Sequence, residues 1–340
     1  MFKKLLPVFL AFILIITGCG GTKSGSNENG DSSKKITLKV GGQYPLEHPN
    51  TKNLMKFKDE VEKASKGRIE VKVYPANQLG DYTLVYEEVM RGTIDMALIS
   101  VPSEFEPKLE VNYVHYLAEN YEKAKELFKP GSFIYNTNVK LHEKLGVKFL
   151  SFHVEGFGGI GTTKEIKNPT EPGADKGLLI RVPPIDVFRG NAEDLGFRTV
   201  AVPFAELYQA LQTGVAEGWV GGPPSANYTE VRDVIKYYYQ YNNFFENTSL
   251  VMNLDLWKKM SSEDQRIIQD AASALGQRSV DAAEKDDKEY MEKLKEAGVK
   301  VITFSDKDLK KFAEFTRKTT WPKLKDRLGE DIVKGLSAEQ

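Results

Sequence analysis

The chain has 340 residues, with 47 Lys plus Arg against 48 Asp plus Glu and a formal net charge of -1. Signs this evenly mixed offer no basic patch for nucleic acid, and no nucleic-acid partner is expected. The single cysteine, Cys19, excludes an intramolecular disulfide and any cysteine-based metal site.

Lys3 and Lys4 precede an apolar run from Leu5 to Ile16, and Thr17-Gly18-Cys19 follow. A basic start, a short apolar stretch and small residues describe a secretory signal over residues 1–18. The run is too short to span a bilayer, which takes roughly 20 apolar residues. Ile16-Thr17-Gly18-Cys19 resembles a bacterial lipobox, which implies that Cys19 is the lipidated first residue of the mature chain. Residues 20–35, rich in Gly, Ser and Asn, read as a flexible tether. The expected location is therefore the outer face of the cell membrane or the periplasm, with a lipid anchor through Cys19.

Beyond the tether, ITLKVGG (36–42) is a predicted strand, and Thr51 is the expected cap of a helix that stops at Gly67. RIEVKVYP (68–75) alternates as a half-buried strand, Asp81 starts a helix ending at Gly92, and IDMALIS (94–100) is a short buried strand. Strands alternating with helices at these spacings predict a parallel α/β sheet. Helices near 120–129 and 136–145 lead to the strand VKFLSF (147–152), and GFGGIG (156–161) reads as a flexible connection between domains.

A second α/β set follows: a strand in GLLIRV, a helix from Ile185 to Leu195, a strand in FRTVAV, a helix over Phe204–Gln212, and a glycine-rich turn containing Trp219. The YYYQY run (237–241) is expected to brace the interdomain surface, and residues 244–257 read as a return strand into the first domain. Ser261-Ser262-Glu263-Asp264 offers a capping box for a helix reaching about Glu296, long enough to cross both domains. VKVITF (299–304) and an amphipathic helix complete the pattern. The predicted fold class is α/β, resembling periplasmic binding proteins, with two lobes, a ligand cleft between them and one long helix spanning both. Lobe I takes 36–155 plus about 249–285, lobe II takes 156–248 plus about 286–329, and 330–340 is a tail.

No catalytic constellation stands out. The four histidines, His48, His115, His142 and His153, are scattered without metal-ligand spacing, and there is no GxSxG elbow, P-loop or GxGxxG after a strand. No catalytic residue, metal or cofactor is expected. Binding chemistry is better represented. Arg181 lies near the end of the apolar run LLIRV, and its planar fork suits a carboxylate through two parallel hydrogen bonds. By residue type alone, a solvated arginine and aromatics buried in a core are the commoner roles.

The blocks YPANQLGD (74–81), RGTIDMAL (91–98), KGLLIRVP (176–183), VPFAELYQALQTG (202–214) and LWKKMSSEDQRIIQDAA (256–272) stand in order along the body. Together they resemble the solute-binding proteins of tripartite ATP-independent (TRAP) transporters. The resemblance implies ligand capture and delivery to a small and a large integral membrane subunit. It implies that Arg181 pairs the ligand carboxylate, that Phe204 packs on the ligand and that Gln43 contributes a polar side chain. Tyr82 and Ser100 would lie in the first-lobe wall. Two departures follow from the same resemblance. Gly158 stands where many members carry a second arginine, and Trp219 with Gly221 stands in a turn that is often polar. The expected ligand is thus a monoanionic organic acid with an apolar or aromatic part. A small sulfonate or a C4-dicarboxylate is the alternative, as is a sensing lipoprotein with a membrane receptor.

Overall fold

Apolar alternation and helical repeats sort the chain into eleven strands in the computed structural model, which describes residues 35–339. The expected signal, Cys19 and the tether to residue 34 lie outside these residues. In chain order the strands are β1 (Ile36–Gly42), β2 (Ile69–Tyr74), β3 (Met96–Ile99), β4 (Val147–Phe157), β5 (Gly159–Thr162) and β6 (Leu179–Val182). They continue with β7 (Arg198–Ala201), β8 (Gly218–Gly222), β9 (Tyr237–Gln240), β10 (Phe245–Asn253) and β11 (Lys300–Thr303).

Two sheets result, ordered β2-β1-β3-β10-β4 and β11-β9-β5-β8-β6-β7. In the first, β1 lies parallel to β2 and β3, and β10 returns antiparallel between β3 and β4. In the second, β6 is parallel to β7 and β8, whereas β5 is antiparallel to β8 and β9. The chain crosses between the sheets where β4 runs on into β5 and again where β9 leads to β10. The two-lobed α/β class is as expected.

The helix Ser262–Glu296 ties the sheets together. Ser261 accepts from the Asp264 amide at 3.1 Å and its hydroxyl donates to the Asp264 carboxylate at 2.8 Å, which closes the first turn. At 1.5 Å per residue the helix is roughly 50 Å long, enough to serve two small cores. Its Ile268, Ala272 and Leu275 join the core of the first sheet, while Ala283 and Leu294 join the larger core that extends to the second. Asp287, buried on the same helix, accepts from the Phe157 amide at 2.8 Å and from the Tyr121 hydroxyl at 2.6 Å, anchoring the end of β4. No helix of the described residues is long and apolar enough to cross a membrane.

Several expectations are corrected. GFGGIG is no flexible connection: it is the buried end of β4 and the start of β5. The glycine-rich turn around Trp219 is β8, an inner strand of the second sheet, because a Cβ at Gly222 would overlap the Trp219 ring. The tyrosines of 237–241 stack on one another and on Phe304, Tyr241 lying 4.5 Å from it between ring centroids, and their contact across the lobes runs through the backbone, where the Tyr241 carbonyl accepts from the Tyr116 hydroxyl at 3.4 Å. His48, not Thr51, caps the helix Pro49–Ala64, its Nδ1 accepting from the Asn50 amide at 3.1 Å. The segment expected as a tail forms the helix Glu330–Ala338, which buries Ile332 and Leu336.

Candidate functional site

The carboxyl ends of β1 and β3 place Gln43 and Ser100 side by side. Gln43 Oε1 accepts from the Ser100 amide at 2.7 Å, and its Nε2 donates to the Ser100 hydroxyl at 3.1 Å. The pair is held rigid by its own hydrogen bonds, as a preformed wall requires. Asp81 caps the next helix and so directs Tyr82, its first residue, inward. Tyr82 is buried, and its hydroxyl has no hydrogen-bond partner among the described residues. From the second sheet, β6 carries Arg181, the loop after β7 carries Phe204, and β8 carries Gly221. All six line one cleft between the sheets, with Tyr44, Tyr113, Phe188 and Glu246. A crevice at the carboxyl ends of open α/β sheets is the usual ligand position.

Arg181 is 1% exposed. Its Nε donates to the Val202 carbonyl at 2.8 Å, which turns the outer edge of the guanidinium toward the cleft, and Nη2 is buried without a partner among the described residues. Burial pulls its pKa down to about 10, with Tyr82, Asp81, Tyr44 and Glu246 acting the other way, so it is cationic at neutral pH. Gly221 has φ +128°, and a Cβ there would stand 3.7 Å from Arg181 Nη1, so glycine keeps both the left-handed backbone and the space beside the cation. Phe204 meets Tyr44 edge-on at 5.5 Å between ring centroids. The cavity left among these side chains is only about 20 Å³. A space of this size holds about one water.

Two expected residues are not brought to the lining. Trp219 is fully buried behind it, its indole donating to Asn227 Oδ1 at 2.9 Å and its ring 6.5 Å from Phe204. It backs the wall and presents no face to the cleft. Gly158 lies against the Phe244 ring, which a Cβ would overlap, so a side chain there has no path to the cleft without moving Phe244.

Tyr44, Tyr113 and Glu246 escaped the sequence reading. Glu246 carried a usable signal, as the one charged residue in the strand-like run 244–253. Tyr113 is a side chain of a short 3-10 turn, Pro107–Tyr113, and accepts from the Val101 amide at 2.7 Å. No periodicity marks it. A larger cavity, about 240 Å³, lies between the helix Pro49–Ala64 and the long helix, lined by His48, Lys52, His153, Glu155, Arg278 and others. None of the expected site residues reaches it.

The description "bacterial extracellular solute-binding protein, family 7" matches residues 40–324. The C4-dicarboxylate-binding periplasmic protein DctP of Rhodobacter capsulatus is 25% identical over 78% of this chain and 79% of that protein. A TRAP periplasmic solute-binding protein of Haemophilus influenzae, solved with bound L-gulonate, is 25% identical with a TM-score of 0.79, covering 90% of this chain and 100% of that one. Another, from Desulfovibrio salexigens with bound orotic acid, has a TM-score of 0.81 at 23% identity over 90% of this chain and 98% of that one. A family match spanning most of the body, together with a cleft between two lobes, places this chain among the TRAP-transporter solute-binding proteins, which bind and hand on solutes and are not enzymes.

Proposed function

We propose that this protein captures a small organic acid as its monoanion, with an apolar or aromatic part, and delivers it to the small and large membrane subunits of its transporter. The carrying observation is Arg181, a buried guanidinium with an unpartnered nitrogen that is the one cation among the described lining residues. A carboxylate on that fork gains charge-assisted hydrogen bonds worth about 1.5–3 kcal/mol each. Phe204, Phe188, Ile185 and Pro183 supply apolar wall for the rest of the ligand. A second carboxylate would meet Glu246 in place of a cation. The relative solved with L-gulonate, a monocarboxylate, fits this reading. The relative named for C4-dicarboxylates keeps a dicarboxylate as the alternative.

The same proposal includes export as a lipoprotein anchored through Cys19, and lobes divided at the positions expected from the sequence. A thermal-shift panel of monocarboxylates, dicarboxylates and sulfonates tests the ligand class. Monoacids are expected to give the largest shifts, and a clear preference for C4-dicarboxylates would overturn the proposal. Mass spectrometry of the mature chain tests the anchor: an unmodified Cys19 would remove it.

A further inference from the structure

Glu246 is the second residue of β10 and is 3% exposed, yet it lines the cleft together with Arg181. The strand pairing around it is irregular. Glu246 pairs with Gly156 and Asn247 with Val154, so Glu155 is an extra residue in β4 with no cross-strand partner. Such a bulge re-aims side chains. It gathers two carboxyl groups, Glu155 and Glu246, into one buried region, and neither makes an ion pair among the described residues.

The two groups have different surroundings. Glu155 lies on the side of the larger cavity, where Oε1 accepts from Asn50 Nδ2 at 2.9 Å and from the Thr248 hydroxyl at 3.4 Å. Glu246 accepts from the Asn247 amide at 3.2 Å and faces the cleft. An ionised Glu246 would compete with the ligand carboxylate for the single cation. A neutral one leaves Arg181 free and adds an O–H donor to a wall that otherwise presents hydroxyls and an amide.

We infer that Glu246 determines specificity by donating, as a neutral carboxylic acid, a hydrogen bond to a hydroxyl or oxo oxygen on the ligand, so that hydroxy- or oxo-monoacids are preferred over unsubstituted and amino acids of the same skeleton. The inference rests on the monoacid proposal above. Its charge state follows from what faces Glu246. Burial raises its pKa well above the usual carboxylate range and Glu155 on β4 pushes the same way, while the hydrogen bond from the Asn247 amide and then the charge of Arg181 from the second sheet oppose them. The remaining titratable neighbours are the hydroxyls of Tyr44, Tyr82 and Tyr113, all pushed above their ordinary value by burial. They stay protonated wherever Glu246 titrates. Glu155 itself is pushed up to about 8. Rising pH therefore removes the donor, adds repulsion toward the ligand anion and weakens binding.

The test titrates two matched sets into the purified protein by calorimetry: lactate, pyruvate, propionate and alanine, and mandelate, phenylpyruvate, phenylacetate and phenylglycine. In the set that binds, the hydroxy or oxo member is expected to bind at least ~10-fold tighter than the unsubstituted and amino members, and to weaken as the pH is raised. Glu246→Ala should abolish that preference. Glu246→Gln, which keeps a neutral donor, should retain the preference and lose at least half of the pH dependence. Should the alanine variant fail to fold, the glutamine variant carries the decision. Equal binding of substituted and unsubstituted members overturns this inference alone, as does a preference for the amino member. Absence of binding by every acid in both sets overturns the inference together with the monoacid proposal beneath it.

Discussion

Two buried charges in this protein are treated in opposite ways. Glu110, fully buried in the turn before Tyr113, is matched on each oxygen: Arg327 Nη2 donates to Oε1 at 2.5 Å and Arg327 Nε to Oε2 at 3.4 Å. Arg327 in turn reaches Asp186 at 2.7 Å, and the Asp186 amide donates to Glu110 at 3.2 Å. Arg181 is as deeply buried, but its one hydrogen bond among the described residues is to a backbone carbonyl. Burying a charge is tolerated when it is paired, and removing one partner leaves a strongly penalised ion. The matched charge holds chain segments together. On the proposed function, the unmatched one awaits a partner that arrives from solution.

The largest expected effect tests that distinction at Arg181. Arg181→Leu should weaken binding of the preferred acid at least ~100-fold by calorimetry, since two charge-assisted bonds of about 1.5–3 kcal/mol each are lost. The same substitution should leave the melting temperature of the ligand-free protein unchanged or raised, because an unpaired buried cation becomes an apolar group. A large fall in ligand-free stability would mean that Arg181 is structural. Arg181→Lys keeps the charge and loses the fork, and an affinity loss of about 10-fold is expected.

At the other pole, Arg327→Leu strips the partner from Glu110. A stability loss of about 2 kcal/mol is expected, below the full 3–5 kcal/mol of a wholly buried pair because Arg327 is partly exposed. Glu110→Gln in the same chain should restore much of it in denaturant unfolding. Additive losses in the double variant would break the assigned coupling.

Most of the first sheet was legible because each strand and helix repeats locally: ITLKVGG, RIEVKVYP and the Asp81-to-Gly92 helix declare their own boundaries. The second sheet was harder. β8 reads GWVGG, which propensity assigns to a turn, and it is a strand because Trp219 and the neighbouring backbones fill the space that side chains would take. The site divides the same way. Arg181, Phe204, Gln43, Tyr82, Ser100 and Gly221 sit at strand or helix ends within motif blocks or beside them. Glu246 and Tyr113 come from segments far along the chain in either direction, and only the return of β10 between β3 and β4 brings Glu246 to the cleft.

Buried carboxyls without a cation extend the contrast to pH. Glu155 and Asp287 are pushed up to about 8 by burial, above their ordinary 4.5 and 3.8. Their contribution to stability is complete below those ordinary values and is lost as pH rises toward 8. His115, His142 and His153 are pulled down to about 3 from 6.5, also by burial, and their contribution is lost as pH falls from 6.5 toward 3. The trends oppose each other between about pH 4.5 and 6.5, so melting temperature should peak there and fall on both sides. Glu155→Gln should flatten the alkaline slope by about 1 kcal/mol per pH unit on the approach to pH 8, with the acid side unaltered. An unchanged alkaline slope would show that Glu155 does not titrate there.

The smallest effect belongs to a charge pair that is neither buried nor awaiting a ligand. Arg232 Nη1 meets Glu47 Oε1 at 3.2 Å, with Arg232 after the helix that follows β8 and Glu47 in the loop after β1, so the pair bridges elements of the two sheets. Both side chains are substantially exposed, and such pairs contribute about 0.2–1 kcal/mol, screened by salt. Breaking the pair acts on closure alone, since neither residue lines the cleft. Glu47→Gln should therefore weaken ligand binding less than ~3-fold, through faster dissociation, and the difference should vanish at high ionic strength. A loss approaching that of Arg181→Lys would mean that closure, and not the guanidinium, supplies most of the affinity. The sharp division between matched and unmatched charges would then no longer identify the site.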